Sequence, residues 1–240
     1  MVLRTHLLGL ALAGLTAAPA MATVLTTSQS AFLAGTAGLP VQSTTGFPGF
    51  DPNAYLIATT TAIPLTGGGS LGLSNAAQVT LGPSGFGVFP YDFADGFTGE
   101  IFIPNDANGN DVSSEVIATG GLSALGFEVA PFGDAAGSPY NGFRGGPYTV
   151  TVATNTGLTA SVALPGGMSD GLTQSQFFGF YGGGVSSVSV TVTSATPGTS
   201  DPNGLGFGNF VDVPGPASSA LLLGAGLTVL SRLRQRRAAA

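Results

Sequence analysis

The run Tyr148-Thr149-Val150-Thr151-Val152-Ala153-Thr154, followed by Asn155-Thr156-Gly157 and Leu158-Thr159-Ala160-Ser161-Val162-Ala163-Leu164, constrains this chain more than any other stretch. Apolar and hydroxyl side chains alternate on both sides of a short glycine-bearing turn. An extended backbone sends successive side chains to opposite faces, so the run predicts a β-hairpin with one face buried and one wet. Val185 to Thr193 repeats the pattern, with Val188, Val190 and Val192 on one side and Ser and Thr on the other. Further strands are predicted at Tyr55–Leu65, Ala77–Leu81, Gly85–Phe89, Thr98–Ile103, Ser114–Ala118, Leu122–Ala130, Gln176–Tyr181 and Leu205–Val211. Gly and Pro clusters separate them at roughly ten-residue intervals. Between the two ends the only predicted helix is a turn or two over Ser28–Leu33. A parallel α/β sheet would need helices between its strands, so the expectation is an all-β, two-sheet antiparallel β-sandwich, jelly-roll-like. Phe47, Phe50, Phe86, Phe89, Phe93 and Phe97, in a Gly/Pro-rich stretch, are expected in its core.

Charge placement restricts function more than the total does. There are 6 basic and 12 acidic residues, and none of the basic ones is a lysine. Arg4 lies at one end and Arg232, Arg234, Arg236 and Arg237 at the other, so Arg144 alone stands against all the acids of the middle, where pairing with one of them is the expected use. Nucleic-acid phosphates are bound through Lys and Arg, so no nucleic-acid partner is expected. The single histidine is His6 and there is no cysteine, which removes disulfides, Cys/His zinc sites and thiol chemistry. Glycine (39) and proline (16) are abundant, yet 43% of the chain is hydrophobic and 16 residues are phenylalanine, which favours a packed, turn-rich body over disorder.

Both ends read as addresses. Arg4 and His6 precede an apolar run from Leu7 to Leu15, and Ala20-Met21-Ala22 then presents small residues at alternate positions. This is a secretory signal peptide over 1–22 with cleavage by signal peptidase after Ala22; Ala18-Pro19-Ala20 is a second option. At the other end Ala217–Leu230 carries no charge. As a helix at about 1.5 Å per residue it spans roughly 21 Å, short of the ~30 Å hydrocarbon core, so it lodges in a bilayer only with thinning or snorkelling. The arginines behind it would stay on the cytoplasmic side and give a transient membrane tether. An ordinary tail anchor is the alternative.

The order Val213-Pro214-Gly215-Pro216, weak membrane helix, terminal Arg cluster resembles the sorting tail of the PEP-CTERM proteins, bacterial envelope proteins processed by an exosortase. Gly215 stands where that family usually has glutamate. Thr27–Leu33 is similar to the opening Ser/Ala-Phe-Leu segment of their β-sandwich bodies. Leu125-Gly126-Phe127-Glu128 and Phe177-Phe178-Gly179-Phe180 are similar to their Gly-Phe strands. Leu205–Phe210 resembles the closing strand, with Gly208 where an Asp commonly stands. The resemblance implies a signal peptide at 1–22, a β-sandwich domain at 23–212, a sorting tail at 213–240, and an exosortase-like partner.

Without His6 the exported body has no imidazole, amine or thiol, so Ser-His-Asp, Cys-His and Ser-Lys chemistry and Schiff bases are excluded. Carboxylate pairs remain, and Asp92, Asp95, Glu100, Glu115 and Glu128 are available for a glycosidase or lyase reaction. No tryptophan is present to stack on a sugar ring. The sharpest constellation is Asn105–Asp111: Asp106, Asn108 and Asn110 fall at the first, third and fifth places of an EF-hand-like loop. Asp111 then replaces the glycine and Ile117 the twelfth-position glutamate, so an EF-hand is rejected. Two readings stay open, a tight turn and a structural Ca²⁺ site on Asp106, Asn108, Asn110 and Asp111. Asp51-Pro52-Asn53 and Asp201-Pro202-Asn203 are read as turns that a sandwich could bring together at a shared metal. The expectation is a non-catalytic cell-envelope or extracellular-matrix protein associated with exopolysaccharide. The alternative is a Ca²⁺-assisted carbohydrate-binding module.

Overall fold

The computed structural model describes residues 22–51, 56–83, 97–135, 147–164, 175–195 and 200–215. Strand β1 (Val24–Thr26) leads into helix α1 (Gln29–Gly35), whose first turn is capped by the Ser28 hydroxyl accepting the Ala31 N–H at 3.2 Å. Short strands follow: β2 (Gln42–Thr44), β3 (Leu56–Ala58), β4 (Ala62–Pro64) and β5 (Ser70–Leu73). Longer ones come next, β6 (Gln78–Pro83), β7 (Glu100–Asn105), β8 (Ser114–Ala118) and β9 (Ala124–Ala135). The hairpin of β10 (Tyr148–Thr154) and β11 (Thr159–Leu164) precedes β12 (Gln176–Tyr181), β13 (Ser187–Ser194) and β14 (Ser200–Val213).

All pairings are antiparallel, in two sheets. The first has the order β1-β12-β9-β14-β7-β6-β3, with β2 also pairing β14; the second is β11-β10-β13-β8-β5-β4. The predicted hairpin is in register from Tyr148↔Leu164 to Ala153↔Thr159, and its turn is closed by Thr154 N–H to Leu158 O at 2.8 Å with Gly157 at φ +90. Residues 55–65, expected as one strand, instead supply β3 to one sheet and β4 to the other. The Thr60 hydroxyl explains the break: it bonds both the carbonyl (3.1 Å) and the N–H (3.2 Å) of Ala62, turning the chain between layers. Gly85–Phe89 lies outside the described residues, as do Phe86, Phe89, Phe93 and Arg144.

The sheets face one another across a core that joins Val150, Val152, Val188, Val190 and Val192 of one to Phe102, Phe127, Phe178, Phe207 and Phe210 of the other. Phe102 stacks on Phe207 at 5.1 Å and on Phe210 at 5.7 Å, and Phe47 meets both Phe102 and Phe210 edge-on. The second sheet keeps a wet outer face: Thr149, Thr151 and Ala153 of β10 are partly exposed between buried neighbours. The central strands of the first sheet are buried on both faces, as β7 is along its whole length, because its outer face is covered too. Phe32 of α1 sits there with Ala124, Phe177, Val211 and Val213. Phe97 packs nearby with Ile101, Ile103 and Ala130.

The Gly-Phe phrases acquire a packing role in this arrangement. Gly126 and Gly179 are cross-strand partners on the outer face, while Phe127 and Phe178 beside them point into the core. A Cβ on Gly179 would lie 2.6 Å from the Phe32 ring, and one on Gly126 would lie 2.5 Å from the Phe177 ring. The two glycines thus leave the hollow into which Phe32 and Phe177 pack.

Candidate functional site

The 105–111 segment is a closed turn on the β7–β8 connection. Asn105 and Asp111 form an antiparallel bridge, Asp106 N–H donates to Asn110 O at 2.8 Å, and Gly109 adopts φ +83. The Asp106 carboxylate accepts the backbone N–H of Asn108 (2.8 Å) and of Asn110 (2.9 Å) on Oδ1, and the Asn110 side-chain amide (3.0 Å) on Oδ2. That side-chain amide and the Asn110 backbone, followed by Asn108, hold its pKa below the usual carboxylate value. Asp111 has a different environment. Its Oδ1 accepts the Asn105 amide at 2.7 Å, and Asn105 Oδ1 in turn accepts the Thr80 hydroxyl at 2.8 Å inside the sheet. Burial pushes Asp111 up to about 6 against that bond, with the charge of Asp106 adding.

The structure therefore brings Asp106, Asn108, Asn110 and Asp111 into one turn, with N–H donors converging on Asp106. A hard cation is held by converging oxygens. Among the described residues no group of three or more His, Cys, Asp and Glu side chains is placed to hold a metal. Residues 201–203, expected as a turn, instead lie within β14, where Asp201 is in register with Asp134 of β9, whereas Pro52 and Asn53 lie outside the described residues.

The other acids were available on paper for a carboxylate pair. Asp92 and Asp95 lie outside the described residues. Glu115 is fully buried, and its carboxylate accepts four backbone N–H groups: Ser74 (2.8 Å), Asn75 (2.9 Å) and Val116 (2.8 Å) on Oε1, and Ala76 (3.0 Å) on Oε2. It is a plug that satisfies the backbone of the β5–β6 connection. Glu100, buried in the first sheet, accepts the Phe47 N–H, and Glu128 accepts the Ser175 hydroxyl. Among the described residues none of the three shares a hydrogen-bond partner with another.

Asp212 differs from all of these. It is completely buried on β14, paired in register with Leu125 and Gln42, and among the described residues neither carboxylate oxygen has a hydrogen-bond partner. Burial alone raises it to about 6. The Thr66-Gly67 turn lies over it: a Cβ on Gly67 would stand 2.8 Å from Oδ2. The sequence reasoning did not single out Asp212 or Gly121, and it read Glu115 only as one of the acids available for a carboxylate pair. The signal for Asp212 was an acid set within the apolar run Phe210-Val211-Asp212-Val213.

Of the address residues, Ala22 is described and exposed, and Thr23 beside it donates its hydroxyl to Gly183 O. Ala20, Pro216, Arg232, Arg234, Arg236 and Arg237 lie outside the described residues, with the apolar run 217–230. Among the described residues no helix is long and apolar enough to cross a membrane. Val213 ends β14, and its carbonyl accepts the Ser123 N–H at 2.9 Å. No family model matches this chain, and neither a curated protein nor a solved structure does.

Proposed function

We propose that the chain is an exported, non-catalytic protein of the cell envelope or extracellular matrix, with a jelly-roll-like body delivered by a cleaved signal peptide. Its tail, in this reading, is handled by an exosortase-like enzyme after a transient stay in the inner membrane, and the released body associates with exopolysaccharide. One observation carries the non-catalytic part: Glu100, Asp106, Asp111, Glu115 and Glu128 each accept hydrogen bonds from the protein itself. With histidine, lysine and cysteine missing from the body, acid–base chemistry would require carboxylates, and these five are engaged in holding the fold. The start of β1 at Val24, two residues past the expected signal cleavage, supports the export reading.

Intact-mass measurement on native protein from periplasm, outer membrane and medium tests this. A mature form beginning at Thr23 and lacking the terminal arginines is expected. A cytosolic protein with both ends in place, or turnover of a polysaccharide that disappears when one acid is replaced, would overturn it.

A further inference from the structure

The end of β14 is held from two sides by backbone. Val213 is 2% exposed and bonded to Ser123, while Gly215, also buried, comes so close to the 119–121 turn that a side chain has no place. A Cβ on Gly215 would stand 1.9 Å from the Gly121 carbonyl oxygen and 3.1 Å from its carbon. Carbon and oxygen cannot approach that closely without one backbone moving.

Retreat of the turn is blocked. Thr119 donates its N–H to Ser186 O (2.9 Å) and its hydroxyl to Val185 O (3.0 Å), and Leu122 N–H closes the turn on Thr119 O at 3.1 Å. Gly120, at φ +59, is already against β5: a Cβ there would lie 2.6 Å from Ser70 O. Ser70, the Gly120-Gly121 pair and Gly215 are thus packed backbone on backbone. Only glycine fits at 120 and 215.

We infer that Val213–Gly215 is a clamp built into the fold, and that Gly121 rather than a tail-reading enzyme dictates glycine at 215. The glutamate usual at this place in the tails the chain resembles cannot enter while the clamp is closed. Enzymes that process peptides take them as extended chain, so these three residues become available only when the end of β14 opens. The consequence for processing rests on the proposed sorting. The clamp itself rests on the packing alone.

Hydrogen exchange on the full chain in detergent tests it, comparing wild type, Gly215→Ala, Gly215→Glu and the control Gly183→Ala. Gly183 is exposed, and a Cβ there meets nothing within 4 Å. Wild type and control are expected to protect the Ser123 amide equally, and both Gly215 variants to exchange it about tenfold faster or more, with a lowered Tm. Should Gly215→Glu aggregate, Gly215→Ala, which adds one methyl group, decides the matter. Wild-type protection and Tm in Gly215→Ala overturn the clamp. The intact mass of mature native protein gives a second reading: a C-terminus at or beyond Gly215 supports the clamp, and a mature chain ending before Val213 with an unchanged Tm overturns it. Retention of Arg237 in every fraction overturns the sorting proposal alone, and the exchange comparison still decides the clamp.

Discussion

Asp212 and Glu115 show two fates for a buried carboxylate. Glu115 accepts four N–H groups, whereas Asp212 has, among the described residues, neither a donor nor a charge acting on it. Because its folded pKa, about 6, lies above the ordinary 3.8, the native state holds the proton more tightly than the unfolded chain does. The resulting penalty is absent below pH 4, grows as pH rises through 4 to 6, and is constant above, on the order of 2 kcal/mol. Asp212→Asn is expected to raise Tm by roughly 5 °C at pH 8 and to leave it unchanged at pH 4. An equal shift at both pH values, read by calorimetry, would show that packing rather than ionisation is responsible. Glu115→Ala should do the reverse at neutral pH, costing about 3 kcal/mol or more in urea unfolding by orphaning the N–H groups of Asn75 and Ala76, while Ser74 keeps its bond to the Val116 carbonyl. The Asp106 turn supplies its own donors, so millimolar Ca²⁺ is expected to leave Tm where it is. A rise abolished by replacing Asp106 and Asp111 together would instead establish a cation site.

Elements were legible to the extent that one face of each is wet. The β10–β11 hairpin and β13 alternate visibly because water covers one side of their sheet, and periodicity in sequence records that difference. In the first sheet the outer face is covered by α1 and by the Phe97 cluster, so β7 and β14 from Gly204 onward run nearly continuously buried, and no alternation in the sequence marks their ends. β1, β2 and β5, three or four residues each, are too short for any period to show. The docking of α1 makes a testable unit. Phe32→Ala should cost about 3–5 kcal/mol and Gly179→Ala about 1–3 kcal/mol, the latter by driving a methyl into the Phe32 ring. In the double variant that ring is gone, so the summed cost should fall short by about 1 kcal/mol or more. Strict additivity in urea unfolding would place Phe32 elsewhere than in the Gly126–Gly179 hollow.

The whole molecule combines opposing titrations. Asp106, held below its ordinary pKa, contributes stability that is lost as pH falls through the acid range; Asp111 and Asp212, both raised to about 6, withdraw stability as pH rises from 4 to 6. Self-repulsion of an acidic body acts in the same direction as the latter pair. Maximal stability is therefore expected on the acid side of neutrality, near pH 4–5, and a Tm profile still rising between pH 6 and 8 would contradict this assignment. By itself the sequence determined the layered all-β class, the absence of nitrogen and sulfur nucleophiles from the body, and the hairpin register, since composition and two-residue periodicity are properties of the chain alone. Only the tertiary structure decided that Glu115 is a plug, that Asp212 is stranded without a donor, and that Gly126, Gly179 and Gly215 are demanded by Phe177, Phe32 and Gly121. Those partners lie far apart along the chain, and whether a carboxylate meets a donor, or a glycine a backbone oxygen, is settled by which surfaces the two sheets press together.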